Sequence, residues 1–144
     1  KKIALFGWAF KKDTNDSRES AAIYISNKLL NEGAIINIYD PQISLDKIKL
    51  DLLTLCEALG EKKSFINDKL NRVNSFRDSI ECCVGTEAVA ILTEWDEFKK
   101  INFKKVFDVM IKPAFIFDGR KILNKERLED IGFNSFEIGK SDLL

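Results

Sequence analysis

The sequence predicts an α/β protein organised as a doubly wound parallel sheet. Three observations predict it. Four short apolar runs, at residues 3–6, 35–39, 88–92 and 114–117, are continuous rather than alternating, which marks strands buried on both faces. Stretches of helical periodicity separate these runs, the order that right-handed crossovers to a parallel sheet require. At 144 residues the chain is also long enough to bury one such core without disulfide or metal support.

Taken in order, the first run stops at Gly7 and gives way to a polar loop. Ser17 is the expected cap of a helix over residues 18–32, which sets Ala22, Ile25, Leu29 and Leu30 along one face and ends at Gly33. The second run ends in Asp40-Pro41. Residues 44–74 alternate leucines with charge and predict a helix near 51–60, then a loosely ordered excursion. Ser75 is the expected cap of a helix through Phe76, Ile80 and Cys83 that closes at Gly85. Asn102 caps the next, with Phe103, Val106, Phe107 and Met110 inward, closed before Pro113. Asn124 caps the last, with Leu128 and Ile131 inward and Gly132 as its stop. A weaker fifth strand follows at residues 134–138. Numbering these strands one to five gives an expected order of 3-2-1-4-5 with helices on both faces.

Composition excludes several function classes. The net charge is zero, with 23 basic and 23 acidic residues, which does not favour a nucleic-acid partner. No apolar stretch approaches the ~18 residues needed to span a bilayer. Three cysteines, no zinc-type spacing and no histidine argue against a disulfide framework or a structural metal. The expected compartment is a reducing one, the cytoplasm. Cys82 and Cys83 are expected to pack near a helix end with a partly exposed thiol. The abrupt start on Lys1-Lys2 before a buried strand predicts a single domain cut from a longer protein.

Positive charge is unevenly placed. Residues 1–20 carry five basic and three acidic side chains, and residues 99–121 carry seven basic and two acidic. In an open parallel sheet, ligands bind beyond the carboxyl ends of the strands where the winding reverses. With order 3-2-1-4-5 that point receives the loop after strand one, with Phe10, Lys11 and Arg18, and the loop after strand four, with Asp118, Gly119, Arg120 and Lys121. Cationic side chains beside helix starts suit a diphosphate. The scaffold is Rossmann-like, yet only Gly7 marks the first turn and no G-x-G-x-x-G follows. Asp40 ends strand two where a ribose-binding carboxylate would sit; Asp40-Pro41 reads equally as a turn.

The string Gly7-Trp8-Ala9-Phe10-Lys11-Lys12-Asp13-Thr14-Asn15-Asp16-Ser17-Arg18-Glu19-Ser20 resembles the opening of the C-terminal domain of the UDP-glucose dehydrogenases. Ile38-Tyr39-Asp40-Pro41, Thr93-Glu94-Trp95-Asp96-Glu97-Phe98 and Lys112-Pro113-Ala114-Phe115-Ile116-Phe117-Asp118-Gly119-Arg120 resemble later segments of the animal-type enzymes, in the same order. Only residues 45–74 depart from the pattern. The resemblance implies that Phe10, Lys11 and Arg120 contact UDP-glucose, and that Arg18 reaches NAD held mainly by another domain. Loop packing for Phe10, a solvated Lys11 and an ion pair of Arg18 with Asp13 or Asp16 are the alternatives. Trp95 is expected in the core rather than stacked on a ligand. The family oxidises the sugar's C6 alcohol with NAD through a thiol-bound intermediate, on a cysteine in a Gly-Gly-Ser-Cys-type segment, and forms homo-oligomers by expectation. Neither that segment nor the NAD-binding glycine motif occurs in this chain, so no catalytic residue is assigned and the chain alone is expected to be inactive. A non-catalytic interaction module on the same scaffold is the competing reading.

Overall fold

The computed structural model describes residues 1–9, 13, 17 and 20–137. Six parallel strands, β1 Lys2–Phe6, β2 Ile35–Tyr39, β3 Val73–Phe76, β4 Ala88–Ile91, β5 Phe115–Asp118 and β6 Asn134–Glu137, form one sheet ordered β3-β2-β1-β4-β5-β6. The winding therefore reverses between β1 and β4, which pair from Ile3 with Ala88 to Phe6 with Ile91. The helices are α1 Ala21–Asn31, α2 Leu45–Ala58, α3 Lys63–Leu70, α4 Ser79–Cys83, α5 Phe103–Val109 and α6 Lys125–Ile131. A 3-10 turn, Asp96–Lys100, precedes α5.

Because successive strand residues point to opposite faces, β1 supplies two cores. Ala4 and Phe6 join Val89, Ile91, Phe98, Val106, Ile116 and Leu128 on the α4–α6 side. Leu5 joins Ala22, Leu30, Ile36, Ile38, Ile48, Leu52 and Val73 on the α1–α2 side. Trp95 belongs to the first cluster, as expected from sequence, although its indole Nε1 has no hydrogen-bond partner among the described residues.

The 3-2-1-4-5 order is present, but its third strand is not the run at 88–92. That place belongs to Val73–Phe76, within the region expected as excursion and helix start. Periodicity missed it for a physical reason: β3 is an edge strand with polar Asn74 and Ser75 at its centre, so no apolar run advertises it. It is fixed by pairing instead, with Asn74 Nδ2 donating to Asn37 Oδ1 at 3.3 Å and Val73 buried. The supposed excursion is helical, and Lys69 is buried within it. Its ammonium donates to Glu61 Oε1 at 2.5 Å and Asn27 Oδ1 at 2.9 Å, partners that a buried charge needs.

Two caps move as well. The Ser20 hydroxyl, not that of Ser17, accepts from Ala22 N and begins α1. Asp78, not Ser75, caps α4. Asn102 and Asn124 cap α5 and α6 as the sequence implies. All three cysteines are free and buried, so the partly exposed thiol is absent. The hydrogen bond with Cys83, followed by burial, pushes the Cys82 thiol up, and burial does the same for Cys56. Neither of these two has the lowered pKa of a nucleophile.

Gly7 is the glycine on which the sheet's upper rim depends. Its φ is +103°, and a Cβ there would lie 2.4 Å from Thr93 Oγ1. Gly33 has φ +90° with nothing within 4 Å of an added Cβ. Gly7→Ala should therefore lower unfolding free energy by about 3 kcal/mol, combining backbone strain with overpacking, and Gly33→Ala by only about 1 kcal/mol. Urea denaturation of both variants checks this; equal losses would contradict the close approach.

Candidate functional site at the carboxyl rim of the sheet

The loop after β1 begins under tight control. Gly7 N donates to Tyr39 O at 2.9 Å, carrying the β1–β2 ladder one residue past the strand. Beyond it the chain turns onto the carboxylate of Asp40. Oδ2 accepts from Trp8 N at 2.6 Å and Ala9 N at 3.1 Å; Oδ1 accepts from Gln42 N at 2.8 Å and Ile43 N at 3.1 Å. Both oxygens are thus occupied by backbone donors. The Trp8 ring is fully buried, and its Nε1 donates to Asp51 Oδ2 at 2.9 Å, pinning the same loop to α2. Phe10, Lys11 and Arg18 lie outside the described residues; their loop leaves the described part at Ala9.

The loops after β4 and β5 meet that departure point. Leu92 N donates to Phe6 O and Gly119 N donates to Ile91 O, so both neighbouring ladders extend past the strand ends. Thr93 is fully buried and its hydroxyl donates to Ala9 O at 2.9 Å. Arg120 Nε donates to Leu92 O at 3.0 Å and lies 3.4 Å from Glu94 Oε2. The turn carrying Arg120 is shaped by buried Asp118, whose Oδ1 accepts from Arg120 N at 3.1 Å and whose Oδ2 accepts from Leu123 N at 2.8 Å. Lys121 occupies the left-handed region at φ 56° within the same turn.

The structure thus brings Arg120 and the root of the Phe10-Lys11 loop to one rim, joined through residues 92–94. It does so differently from the expectation. Because β4 is the run at 88–91, the loop at the reversal is Leu92–Trp95, and Arg120 reaches it from β5, one strand further out. Thr93, Glu94 and Asp118 went unassigned by sequence reasoning. The signal was available in the strings Thr93-Glu94-Trp95 and Asp118-Gly119-Arg120, but a hydroxyl's partner 84 residues away cannot be read from spacing.

Asp40 also settles what this crevice does not fit. A dinucleotide site of the usual kind needs a strand-two carboxylate for the ribose and a glycine-rich turn for the pyrophosphate. Here the carboxylate is consumed by the chain's own N–H groups, and the turn has one glycine. Beside it, Tyr39 Oη donates to Glu97 Oε2 at 2.9 Å, and burial followed by this bond pushes the phenol above its ordinary value. A cleft of about 840 Å³ lies elsewhere, between Lys99–Lys104 and the 122–131 segment, and is lined by neither Arg120 nor Asp40. No group of metal-ligating side chains occurs among the described residues.

The UDP-binding-domain model of the UDP-glucose/GDP-mannose dehydrogenase family matches residues 4–125, which span β1 to the start of α6. The chain belongs to this family. It is 46% identical over 143 residues to UDP-glucose 6-dehydrogenase of Bos taurus and 44% identical over 144 residues to UDP-glucose 6-dehydrogenase 4 of Oryza sativa subsp. japonica. Those alignments cover 97% of this chain and 28% and 30% of the relatives, so the chain spans less than a third of their length. In fold it is similar to an NDP-N-acetyl-D-galactosaminuronic acid dehydrogenase from Methanosarcina mazei Go1, with a TM-score of 0.71 and 21% identity, over 96% of this chain and 24% of that one. A UDP-glucose dehydrogenase from Pyrobaculum islandicum gives 0.59 and 22%, over 94% and 24%. Family membership agrees with the expectation drawn from the motifs, and the 3-2-1-4-5 order with the one drawn from the alternation of apolar runs and helices. No helix among the described residues is long and apolar enough to cross a membrane.

Removing the Asp40 carboxylate would strand the N–H groups of Trp8 and Ala9. Asp40→Ala should lower unfolding free energy by about 3 kcal/mol, the cost of orphaning partly buried donors. Urea denaturation is the check, and a loss under ~0.5 kcal/mol would show that the clamp carries no load.

Proposed function

We propose that this chain is the UDP-sugar-binding part of a UDP-glucose 6-dehydrogenase, and that the diphosphate of UDP-glucose lies at the rim between Lys11 and Arg120. The observation that supports this reading most is the seating of Arg120. Its guanidinium is fixed by Leu92 O and Glu94 beside the exit of the first loop. Two cations on separate loops can neutralise a diphosphate without drawing on the same backbone, and the position of Arg120 is set before the ligand arrives. Each charge-assisted contact contributes ~1.5–3 kcal/mol. Phe10 then packs against the nucleotide sugar, and Arg18 reaches the NAD bound by the rest of the enzyme.

In that reading the whole protein oxidises UDP-glucose to UDP-glucuronate with NAD, acts in the cytoplasm and is a homo-oligomer. Neither nucleic acid nor membrane is a partner. The three free thiols support a reducing compartment. The saturated Asp40 supports placing NAD outside this domain, and the raised thiols of Cys56 and Cys82 support a catalytic cysteine elsewhere. A pure interaction module has Leu50, Leu59 and Phe65 in its favour, each more than half exposed on the α2–α3 side. That reading leaves a positioned arginine at the winding reversal without a purpose.

Calorimetric titration of UDP into the chain tests the proposal. Lys11→Ala and Arg120→Ala should each weaken binding about 10- to 100-fold, as loss of one charge-assisted contact predicts. Affinity that responds to neither substitution would overturn it.

A further inference from the structure

Among the described residues, 92–94 touch both halves of the rim. Leu92 O and the Glu94 carboxylate hold the Arg120 guanidinium, while the Thr93 hydroxyl holds Ala9 O one residue before Phe10-Lys11. Alternation along the strand end explains the arrangement. Thr93 turns inward, where Gly7 leaves room for it, and is fully buried; Glu94 turns outward to the rim and is about one-third exposed. The main-chain carbonyl of Leu92 completes a continuous path from the first loop to Arg120 through three consecutive residues.

We infer that Thr93 and Glu94 are positioning residues for the nucleotide-diphosphate site: the segment acts as a spacer that sets the distance between the first loop and Arg120. This rests on the reading given under Proposed function. Neither residue is assigned a contact with the ligand. Glu94 is the informative case, because its charge works against an anionic ligand. A carboxylate beside a diphosphate repels it, so a site that keeps one must use it on the protein side, here on the Nε edge of Arg120. Thr93 acts through the backbone: without its hydroxyl, Ala9 O loses a buried donor and the loop root is free to shift.

The test uses UDP as the probe and the chain as it stands, by calorimetry well below the melting temperature. Glu94→Gln should weaken UDP binding about threefold or more, since the neutral amide no longer orients the guanidinium. If Glu94 were merely a nearby charge, the same substitution would leave binding unchanged or tighten it, and either result overturns the inference. Thr93→Val should weaken UDP about tenfold while Thr93→Ser stays within about twofold of the parent. Combining Thr93→Val with Arg120→Ala should cost little beyond Arg120→Ala alone, because residues that work as one unit are not additive. Multiplied effects would instead mean independent contributions and would defeat the spacer. Should Thr93→Val fail to fold, the Glu94→Gln result decides by itself. Absence of UDP binding to the unmodified chain defeats the proposed function and the spacer together, whereas normal binding with an indifferent or tighter Glu94→Gln defeats the spacer alone.

Discussion

Asp40 stands where the ends of β1 and β2 meet, and each of its oxygens accepts two backbone N–H groups. On one side those donors belong to the first loop, on the other to the turn that leads into α2. A carboxylate placed this way replaces the glycine-rich turn of a dinucleotide fold. There, backbone N–H groups at the end of strand one are left available for a pyrophosphate, and the strand-two acid waits for a ribose. Here donor and acceptor are paired within the chain. The first loop is consequently anchored at Trp8 and Ala9, and in the proposed site the binding groups are side chains that come after the anchor.

This exchange shapes the rest of the rim. With the β1 exit fixed, Thr93 can reach Ala9 only because Gly7 has no side chain, and the approach in turn holds the end of β4 against β1. Asp118 performs for the β5 turn what Asp40 performs for β1, bending the chain so that Arg120 comes back over Leu92. The two acids spend their charge on backbone donors, and Glu94 spends its own on the arginine. Three carboxylates at this rim are therefore compatible with the proposed site for an anion.

Much of this was legible in the letters. Buried parallel strands declare themselves as continuous apolar runs, which is why the runs at residues 3–6, 35–39, 88–92 and 114–117 pointed to strands. Asn102 and Asn124 declare themselves as caps by standing before amphipathic stretches. The edge strand Val73–Phe76 does not, because polar Asn74 and Ser75 form its centre and it is held by pairing with β2 rather than by apolar burial. Missing it displaced the reversal by one strand and gave Arg120's loop a place that belongs to Leu92–Trp95. Ser17 and Ser20 are equally good caps by composition; only the hydroxyl's direction separates them. The roles of Thr93 and Glu94, and the hold of Asp40 on Trp8 and Ala9, were hidden for another reason, since each works through a partner remote in sequence. Phe10, Lys11 and Arg18 were singled out by motif and charge, and they fall outside the described residues.

The account stands on a diphosphate lying at the carboxyl rim between β1, β4 and β5. Amide chemical-shift mapping on addition of UDP tests that claim most directly. It predicts changes concentrated at residues 7–20, 92–95 and 118–121, with the cleft lined by Lys99–Lys104 and the 122–131 segment left quiet. Changes centred on that cleft, or on the β2–β3 end around Gln42 and Arg77, with Thr93 and Arg120 unmoved, would contradict it.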